Sequence, residues 1–321
     1  MSGGLLGVAL VGSGAAAAQH AAVLAQLPDA ELRAVVDVDA EAAAAFAARH
    51  EAPVRAWESV LRDDRVEIVA LCTPPGPRPR LALEALAAGK AVLLEKPPTS
   101  TLEELEEVVA AARGAGRPAA VMLQHRGRLP EEARRHEWSS GASMGIEVVR
   151  FRSPAHYAAQ PWRTDPVAAA GGFFAHLVIH YADLACRLFG EPRAVDGAVA
   201  CDAFDGIDTR LALLVTFDGE RHATIYASSR GRLHSQRLTA EDDEVVLELR
   251  ETETRVQAGE AEGVYPARPP QELRRDVYEE LVAATRAGAA DVDTFALAGA
   301  RGATVVLEAV RRLARTAVGA V

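Results

Sequence analysis

Five short apolar runs, separated by stretches rich in helix-forming residues, recur through the first 123 residues, and this alternation restricts the fold more than any other feature of the sequence. The predicted strands are residues 5–11, 31–37, 67–72, 91–95 and 119–123, and the predicted helices are residues 15–27, 40–50, 80–88 and 102–113. Strands that alternate with helices form a parallel sheet with helices on both faces. We therefore expect a doubly wound α/β domain over residues 1–123.

The turn after the first predicted strand has the sequence GSGAAA, which places small residues at Gly12, Gly14 and Ala17. In a dinucleotide-binding fold the first glycine allows a tight turn, the second lets a pyrophosphate approach the backbone, and the third small residue lets the helix pack closely on the strand. The acid that ends the second predicted strand, Asp37, can accept hydrogen bonds from the adenosine ribose. This context favours nucleotide binding over the alternative, an ordinary α/β turn beside a surface aspartate.

The charges beside Asp37 bear on which nicotinamide cofactor is bound. Residues 37–41 contain three acids and no base, and the next arginine is Arg49. A 2′-phosphate would require an arginine or lysine nearby, so the segment favours NAD over NADP.

Composition limits the partners and the compartment. The net charge of -10 argues against nucleic acid and anionic membranes as partners. The cysteines Cys72, Cys186 and Cys201 are odd in number and far apart, so they predict no disulfide framework and fit a reducing cytoplasm. Residues 1–28 carry no charged side chain, but they lack the basic segment of a signal peptide, and polar residues interrupt the apolar run that a membrane span needs. We expect a cytoplasmic protein.

Two further stretches carry a family resemblance. Residues 72–98 read CTPPGPRPRLALEALAAGKAVLLEKPP, with Thr73-Pro74 after one strand, Gly89-Lys90 after a helix and Glu95-Lys96-Pro97 after the next strand. Residues 171–183 read GGFFAHLVIHYAD and are similar to a GGGxxxDxGxHxxD helix. With the glycine turn, these motifs resemble the Gfo/Idh/MocA family. The resemblance implies hydride transfer between NAD(P) and a secondary alcohol or ketone of a sugar, polyol or nucleotide sugar.

The resemblance assigns proton chemistry to Lys96 and His180. Lys96 lies at the carboxyl end of a predicted parallel strand, where open α/β sheets bind ligands, and its amine can exchange a proton with a substrate hydroxyl. The alternative is a surface lysine before a proline turn. His180 takes the place of the motif histidine, and a neutral imidazole can accept a proton and return it near pH 7.

His176 takes the place of the motif aspartate and is the main departure from the family pattern. An imidazole supplies no fixed negative charge, so we expect a substrate different from that of an inositol dehydrogenase, with His176 assisting His180. Two alternatives for this helix are a zinc site, for which histidines four apart with Asp183 have acceptable spacing, and a core-filling role. The alternative function is a nucleotide-binding sensor that keeps the fold without turnover. A second departure is Arg78, where many members have histidine; we expect it at the cofactor rim.

Residues 124–321 predict a substrate-binding and dimerisation domain of the α+β class. Strands are predicted at residues 146–152 and 244–250 and in a hairpin over 211–228, and helices at 131–136, 271–287 and 295–316. A mostly antiparallel sheet with one open face predicts a homodimer or homotetramer through that face. The resemblance implies that the last helix packs back on the first domain.

Polar residues near the expected cleft complete the predicted site. Trp162 and Arg163 precede the histidine-containing helix, where an arginine can orient a polar substrate, although a loop anchored by a buried tryptophan is an equal alternative. The predicted catalytic residues are Lys96 and His180, and the predicted substrate-binding residues are His176, Arg163, Trp162 and Arg126. The predicted cofactor-binding residues are Gly12, Gly14, Ala15, Ala16, Asp37, Thr73, Pro74, Glu95, Lys96 and Gln124. No metal is predicted.

Overall fold

The computed structural model describes residues 4–318 of the 321-residue chain. The first five strands are β1 (Leu6–Val11), β2 (Ala30–Val36), β3 (Ile68–Leu71), β4 (Ala91–Leu94) and β5 (Ala119–Val121). The first five helices are α1 (Ala15–Leu24), α2 (Ala40–His50), α3 (Trp57–Arg62), α4 (Arg78–Ala87) and α5 (Leu102–Ala115).

The remaining strands and helices follow a 3₁₀ turn at Gln124–Arg128. The strands are β6 (Ser143–Val149), β7 (Pro192–Ala200), β8 (Arg210–Phe217), β9 (His222–Ser228), β10 (Ser235–Glu241), β11 (Val245–Leu249), β12 (Glu253–Ala258) and β13 (Ala261–Pro266). The helices are α6 (Glu131–Arg135), α7 (Pro154–Ala158), α8 (Ile179–Phe189), α9 (Pro270–Ala287) and α10 (Arg301–Val318). A π-helical turn, Phe174–Val178, leads into α8.

The chain divides into two compact units. The first comprises the chain up to Thr99, Glu103–Gln124 and Pro269–Ala298, and the second comprises Ser100–Leu102, His125–Arg268 and the chain from Gly299 onward. The predicted boundary after residue 123 lies one residue from the division at Gln124. The assignment of everything beyond it to one domain is wrong for Pro269–Ala298, which returns to the first unit.

The first unit contains a parallel sheet in the strand order β2-β1-β3-β4-β5, as the alternation predicted. Residues of β1, β3 and β4 are buried on both faces, which explains why these strands appear in the sequence as continuous apolar runs. Helix α9 contributes Val277, Tyr278 and Leu281 to the same core. It is therefore α9, and not the final helix, that returns to the first unit; α10 belongs to the second.

The second unit contains an eight-stranded sheet in the order β13-β12-β11-β10-β6-β9-β8-β7. Every neighbouring pair is antiparallel except β6 and β9, which are parallel. Buried and exposed residues alternate along β8, β9 and β10, so one face is covered and the other is open, as predicted. Helices α8 and α10 belong to this unit.

Several elements had no clear signal in the sequence. The edge strands β7 and β13 contain glycine and proline and are largely exposed, so they lack the apolar alternation that marks a strand. Strands β10 and β12 and the short helix α3 also had no clear signal in the sequence. These segments are short and contain few apolar residues, so their apolar patterns cannot be distinguished from those of loops. In residues 4–318 no helix is long and apolar enough to cross a membrane.

Candidate active site

The glycine turn after β1 has the backbone that the sequence required. Gly12 has a φ of 103°, and its N–H donates to the carbonyl of Val36 at 2.7 Å. A Cβ on Gly12 would lie 3.0 Å from the carbonyl carbon and oxygen of Cys72, so only glycine fits between β1 and β3. Gly14 precedes the first turn of α1, and a Cβ there would meet no atom within 4 Å. Open space at a helix N-terminus is suited to a pyrophosphate.

Asp37 lies beside this turn, immediately after β2. Its Oδ2 accepts hydrogen bonds from the backbone N–H and the hydroxyl of Ser13, both at 2.6 Å, and its Oδ1 accepts from the N–H of Asp39 at 3.0 Å. Burial alone would raise the pKa of Asp37, but these hydrogen bonds outweigh it and lower the pKa below its usual value. The carboxylate is ionised at neutral pH, which suits a ribose diol and opposes a 2′-phosphate.

Two predicted cofactor-binding residues carry buried polar atoms that no group within residues 4–318 satisfies. Among the described residues, Thr73 Oγ1 and Gln124 Oε1 have no hydrogen-bond partner. Both follow strands of the parallel sheet, Thr73 after β3 and Gln124 after β5. Buried polar atoms without partners are costly unless a ligand or water binds them. With the glycine turn and Asp37, they show that this unit fits NAD.

The carboxyl end of β4 carries Glu95 and Lys96 in different surroundings. Glu95 is 5% exposed, and its Oε2 accepts the backbone N–H of Lys96 at 3.1 Å, whereas the Lys96 side chain is half-buried. Burial alone would raise the pKa of Glu95, but the hydrogen bond from His20 and the positive charges of Lys96 and Arg274 lower it to about 2. The Glu95 carboxylate is therefore an internal anchor, and the cofactor-binding role of Glu95 stays a prediction.

Arg78 links the loop after β3 to the loop after β4 through hydrogen bonds. Its Nη1 donates to the carbonyl of Glu95 at 2.8 Å and also to that of Pro97, and its Nη2 donates to the carbonyl of Thr73. The side chain is 5% exposed, and its place at the cofactor rim stays a prediction. The guanidinium holds the backbone on both sides of Lys96, across a cis Lys96–Pro97 peptide bond.

A buried network behind Lys96, hereafter the His20 network, consists of His20, Glu95, Arg274 and Tyr278. His20 is fully buried; its Nδ1 lies 2.7 Å from the Tyr278 hydroxyl and its Nε2 lies 3.1 Å from Glu95 Oε1. Arg274 Nη2 lies 3.8 Å from the same carboxylate oxygen. Burial lowers the pKa of His20 despite the opposing effect of Glu95, and burial raises that of Tyr278. Neutral His20 therefore accepts from the tyrosine and donates to the carboxylate.

In the second unit, the close approach of Asp208 explains why two glycines precede the π-helical turn. Its carboxylate accepts the N–H of Gly172 at 2.6 Å and that of Phe174 at 2.7 Å, and burial raises its pKa despite these bonds. A Cβ on Gly172 would lie 2.3 Å from the Asp208 carbonyl oxygen, and Gly171 has a φ of 120°. The double glycine thus permits Asp208 to fix the start of the helix.

The two histidines of this helix have different neighbours. His180 is 4% exposed, and its ring stacks on that of His125 with centroids 4.4 Å apart. His176 is half-buried, and its ring meets the edge of the His156 ring at 5.4 Å. Across residues 4–318, no three His, Cys, Asp or Glu side chains come close enough together to hold a metal ion. The histidines are thus neither equivalent nor part of one ligand set.

Arg126 forms a buried ion pair with Asp183. Arg126 Nε and Nη2 donate to the two carboxylate oxygens at 2.8 and 2.7 Å, and both side chains are 1% exposed. This two-bond geometry engages two of the three guanidinium nitrogens. Substrate binding by Arg126 stays a prediction, whereas the anchoring role expected of Asp183 agrees with the pair.

Trp162 and Arg163 lie in a 3₁₀ turn, Pro161–Thr164, and both are half-buried. Arg163 Nη1 donates to the carbonyl of His156 at 3.1 Å, and its guanidinium carbon lies 5.4 Å from the Trp162 ring centroid. The loop is therefore held by this arginine as much as by the tryptophan. Since a carbonyl is its only hydrogen-bond acceptor among the described residues, Arg163 retains donors for a ligand.

Two family models match most of the chain. The model described as "Oxidoreductase family, NAD-binding Rossmann fold" matches residues 6–123, and the model described as "GFO/IDH/MocA C-terminal domain" matches residues 144–244. The chain belongs to the Gfo/Idh/MocA family. This Gfo/Idh/MocA protein is accordingly an NAD-dependent oxidoreductase, which confirms the predicted family, fold class, enzyme class and cofactor.

Curated relatives of this Gfo/Idh/MocA protein are dehydrogenases of diols and sugars. Trans-1,2-dihydrobenzene-1,2-diol dehydrogenase of Macaca fuscata fuscata is 28% identical over 235 residues, which cover 72% of this chain and 69% of the relative. D-glucoside 3-dehydrogenase of Escherichia coli K12 is 29% identical over 198 residues, which cover 60% of this chain and 56% of the relative.

Solved structures share the fold over nearly the whole chain. The WlbA dehydrogenase of Bordetella pertussis, in complex with NADH and UDP-GlcNAcA, has a TM-score of 0.82 at 22% identity and covers 97% of both chains. Levoglucosan dehydrogenase, in complex with NADH and levoglucosan, has a TM-score of 0.83 at 19% identity, with coverage of 97% of this chain and 98% of the other. At these identities the likeness establishes the fold alone.

Sequence patterns missed several residues that shape these sites. His20, Arg274 and Tyr278 lie on helices, and Asp208 follows an Asp205-Gly206 turn signature that does not indicate what its carboxylate binds. His20 carried the only available signal, since a histidine on an otherwise apolar helix is either buried with a partner or functional. No feature of the sequence indicated that its partners would be 75 and 258 positions away.

Proposed function

We propose that this protein oxidises a secondary hydroxyl, or reduces the corresponding ketone, of a sugar or polyol, with Lys96 exchanging the proton of the reacting oxygen. Bound NAD supplies the hydride acceptor or donor. In oxidation the neutral Lys96 amine takes the hydroxyl proton as the C–H bond gives up hydride, and in reduction it returns the proton. The diol and glucoside dehydrogenases among the relatives support this substrate class.

The observation that carries the proposal is the rigid support of Lys96. Its own N–H is held by the Glu95 carboxylate, and Arg78 binds carbonyls on both sides of it, so backbone motion is restricted at a residue whose side chain is half-buried. Such positioning is what proton transfer requires.

Lysine usage in the chain gives independent support. Of the 35 basic residues only Lys90 and Lys96 are lysines, and all others are arginines. Lys90 is 5% exposed and donates to the Asp63 carbonyl at 2.9 Å, which is a structural contact. Arginine remains charged under ordinary conditions and cannot act as a base. At Lys96 an amine can therefore act as the base that an arginine cannot provide.

His180 is proposed as a hydrogen-bonding partner of the substrate hydroxyls in the second unit. It is buried, it stacks on His125, and it lies on a helix whose start is fixed by Asp208. A π-helical turn directly before it is a feature that often accompanies functional sites in helices. His176 and Arg163 are proposed as neighbouring substrate contacts, with Trp162 shielding them from water.

The test uses the two lysines as a matched pair. After a screen of sugars, polyols and nucleotide sugars for NAD reduction, Lys96→Arg should lower kcat on the accepted substrate by about 10²- to 10⁴-fold, the usual contribution of general acid-base catalysis. Lys90→Arg should leave kcat and NADH affinity nearly unchanged, and in Lys96→Arg any change in NADH affinity should be small beside the loss of kcat. Unchanged turnover in Lys96→Arg would refute the role of Lys96. NADH binding without turnover of any alcohol would instead support a sensor.

We also propose that the open face of the second sheet forms a homo-oligomer. Leu214 and Tyr226 are 41% and 50% exposed on this face, beside a shallow depression of about 780 Å³. An extended exposed apolar surface on a sheet is typical of subunit interfaces. Sedimentation should show a dimer or tetramer that Tyr226→Glu dissociates, and a monomeric wild type would exclude this interface. The three unpaired cysteines support the expected cytoplasmic location.

A further inference from the structure

The second unit contains four basic side chains close to the helix that carries His180. This basic cluster consists of Arg150 and Arg152, which follow β6, His156 in α7, and Arg163 in the following 3₁₀ turn. Arg163 donates to the His156 carbonyl at 3.1 Å, and the His156 ring meets that of His176 at 5.4 Å. The cluster is therefore continuous with the proposed substrate contacts.

The two strand-end arginines extend from the covered face of the sheet. Met144, Ile146 and Val148 of β6 are buried, and the pairing with β9 continues beyond the strand through Arg150 N–H to the Ser228 carbonyl at 3.0 Å and Arg152 N–H to the Ser229 carbonyl at 2.8 Å. Alternate residues of an extended chain point to the same side. Arg150 and Arg152 thus project on the helix side, where the charge of Arg150 acts on Tyr181 of α8.

No acid neutralises this cluster in the part of the chain that the structure describes. Arg150 and Arg152 form no side-chain hydrogen bond or ion pair there, and the buried Nε atoms of Arg152 and Arg163 have no partner. Of the nearby acids, Asp208 accepts the N–H groups of Gly172 and Phe174, and Glu251 binds His234 and Gln236.

The positive charges of this cluster lower the pKa values of its members His156 and Arg152. Burial lowers the pKa of His156, and the charges of Arg152, Arg163 and Arg150 lower it further. Burial and the charge of Arg150 also lower the pKa of Arg152. The chain as a whole has a net charge of -10, so an unneutralised group of cations is a local exception. A partly buried cation without a counter-ion is stabilised when an anion binds.

We infer that the second unit binds an anionic substituent of the substrate, a phosphoryl or carboxylate group carried by the sugar or polyol, through Arg152 and Arg163 with Arg150 and His156 beside them. The inference rests on the proposed function and narrows its substrate class. Arginine presents a planar fork of donors that matches both kinds of anion. An imidazole at His176 is compatible with a bound anion, whereas a carboxylate at that position would repel it.

The test measures binding of inorganic phosphate and of D-glucuronate by calorimetry, with NADH at saturation so that the cofactor site is filled. Arg152→Gln and Arg163→Gln should each weaken binding of one or both anions by about tenfold or more, the loss of a charge-assisted contact. Arg193→Gln, which removes an exposed arginine paired with Asp218 in the same unit, should leave both affinities unchanged. The more strongly bound anion identifies the substituent.

Two results would overturn the inference. One is binding of neither anion by the wild type, and the other is equal affinity in all three variants. Turnover separates this failure from failure of the proposed function. If neutral sugars are oxidised as efficiently as their phosphorylated and uronic acid counterparts, the oxidoreductase function stands without the anion site. If the anions bind through Arg152 and Arg163 while no alcohol is oxidised with NAD, the site stands and the proposed reaction fails.

Discussion

Buried charge has protein partners in the His20 network of the first unit but, within residues 4–318, lacks acidic partners in the basic cluster of the second. In the His20 network the Glu95 carboxylate is satisfied by His20, the Lys96 N–H and Arg274, all within the protein. In the basic cluster, Arg150 and Arg152 have no counter-ion among the described residues. A satisfied network holds a neighbouring group in place, whereas an unsatisfied cluster is suited to bind a ligand.

The largest expected effect comes from breaking the His20 network at its charge. Glu95→Gln leaves the buried cations Arg78 and Arg274 without their carboxylate, so the free energy of unfolding should fall by about 3–5 kcal/mol in urea titrations. Glu131→Gln removes an exposed partner of Arg135 and should cause no measurable loss. Comparable effects of the two substitutions would show that the network does not stabilise the first unit.

A smaller loss should follow when only a hydroxyl of the network is removed. Tyr278→Phe leaves His20 Nδ1 buried without a donor, and the expected cost is about 1–3 kcal/mol in the free energy of unfolding. Tyr265→Phe removes an exposed hydroxyl that donates to Glu132 and is the matched control. If both tyrosine variants were as stable as the wild type, the hydrogen bond to His20 would contribute nothing.

The pH dependence of stability should depend on His20. Its pKa in the folded state lies below the ordinary 6.5, so between these values the unfolded chain binds more protons and acidification favours unfolding. The contribution of His20 to the free energy of unfolding should therefore be fully present above pH 6.5 and decrease below it. In a plot of the free energy of unfolding against pH, His20→Gln should reduce the slope by up to about 1.4 kcal/mol per pH unit. Glu95 has a pKa of about 2 in the folded state and an ordinary value of 4.5, so the free energy of unfolding should decrease further below pH 4.5. An identical slope in His20→Gln and wild type would contradict this assignment.

The smallest effect, of opposite sign, is expected in the basic cluster. Arg152→Gln removes one of several mutually repelling charges, so the free energy of unfolding should stay the same or rise by up to about 1 kcal/mol, the range of screened pairs near a surface. Arg274→Gln, which removes a cation from the His20 network, should destabilise the protein in the same assay. A loss in Arg152→Gln as large as that in Arg274→Gln would mean that the cluster has a protein counter-ion.

Local patterns in the sequence predicted the strands and the glycine turn, because burial and backbone geometry within a short segment determine these features. The apolar runs of β1, β3 and β4 are strands because both of their faces are buried, and the glycine turn and Asp37 are fixed by one strand–turn–helix unit. The fold class and NAD followed from these features, and the family from the resemblance that residues 72–98 and 171–183 carry. The roles of Lys96 and His180 stay predictions, since their side-chain chemistry is not determined by the fold.

Contacts between distant segments were not predictable in the same way. Arg126 follows a parallel strand, but no local pattern indicated that it would form an ion pair with a carboxylate 57 positions later. The double glycine is needed because Asp208, 36 positions later, lies close to its backbone and accepts the N–H of Gly172. The assignment of α9 failed because an apolar helix face does not specify which of two cores it covers.

The return of α9 to the first unit has a consequence for biosynthesis. A ribosome that has made the five parallel strands has not yet made Tyr278, whose hydroxyl binds His20 across 258 positions. The nascent N-terminal segment therefore exposes the apolar surface of α1 and the sheet that α9 later covers. Domains usually fold in the order of their synthesis. Here the nucleotide-binding unit is completed only after most of the second unit has been translated, so the chain must remain soluble with its first core unfinished.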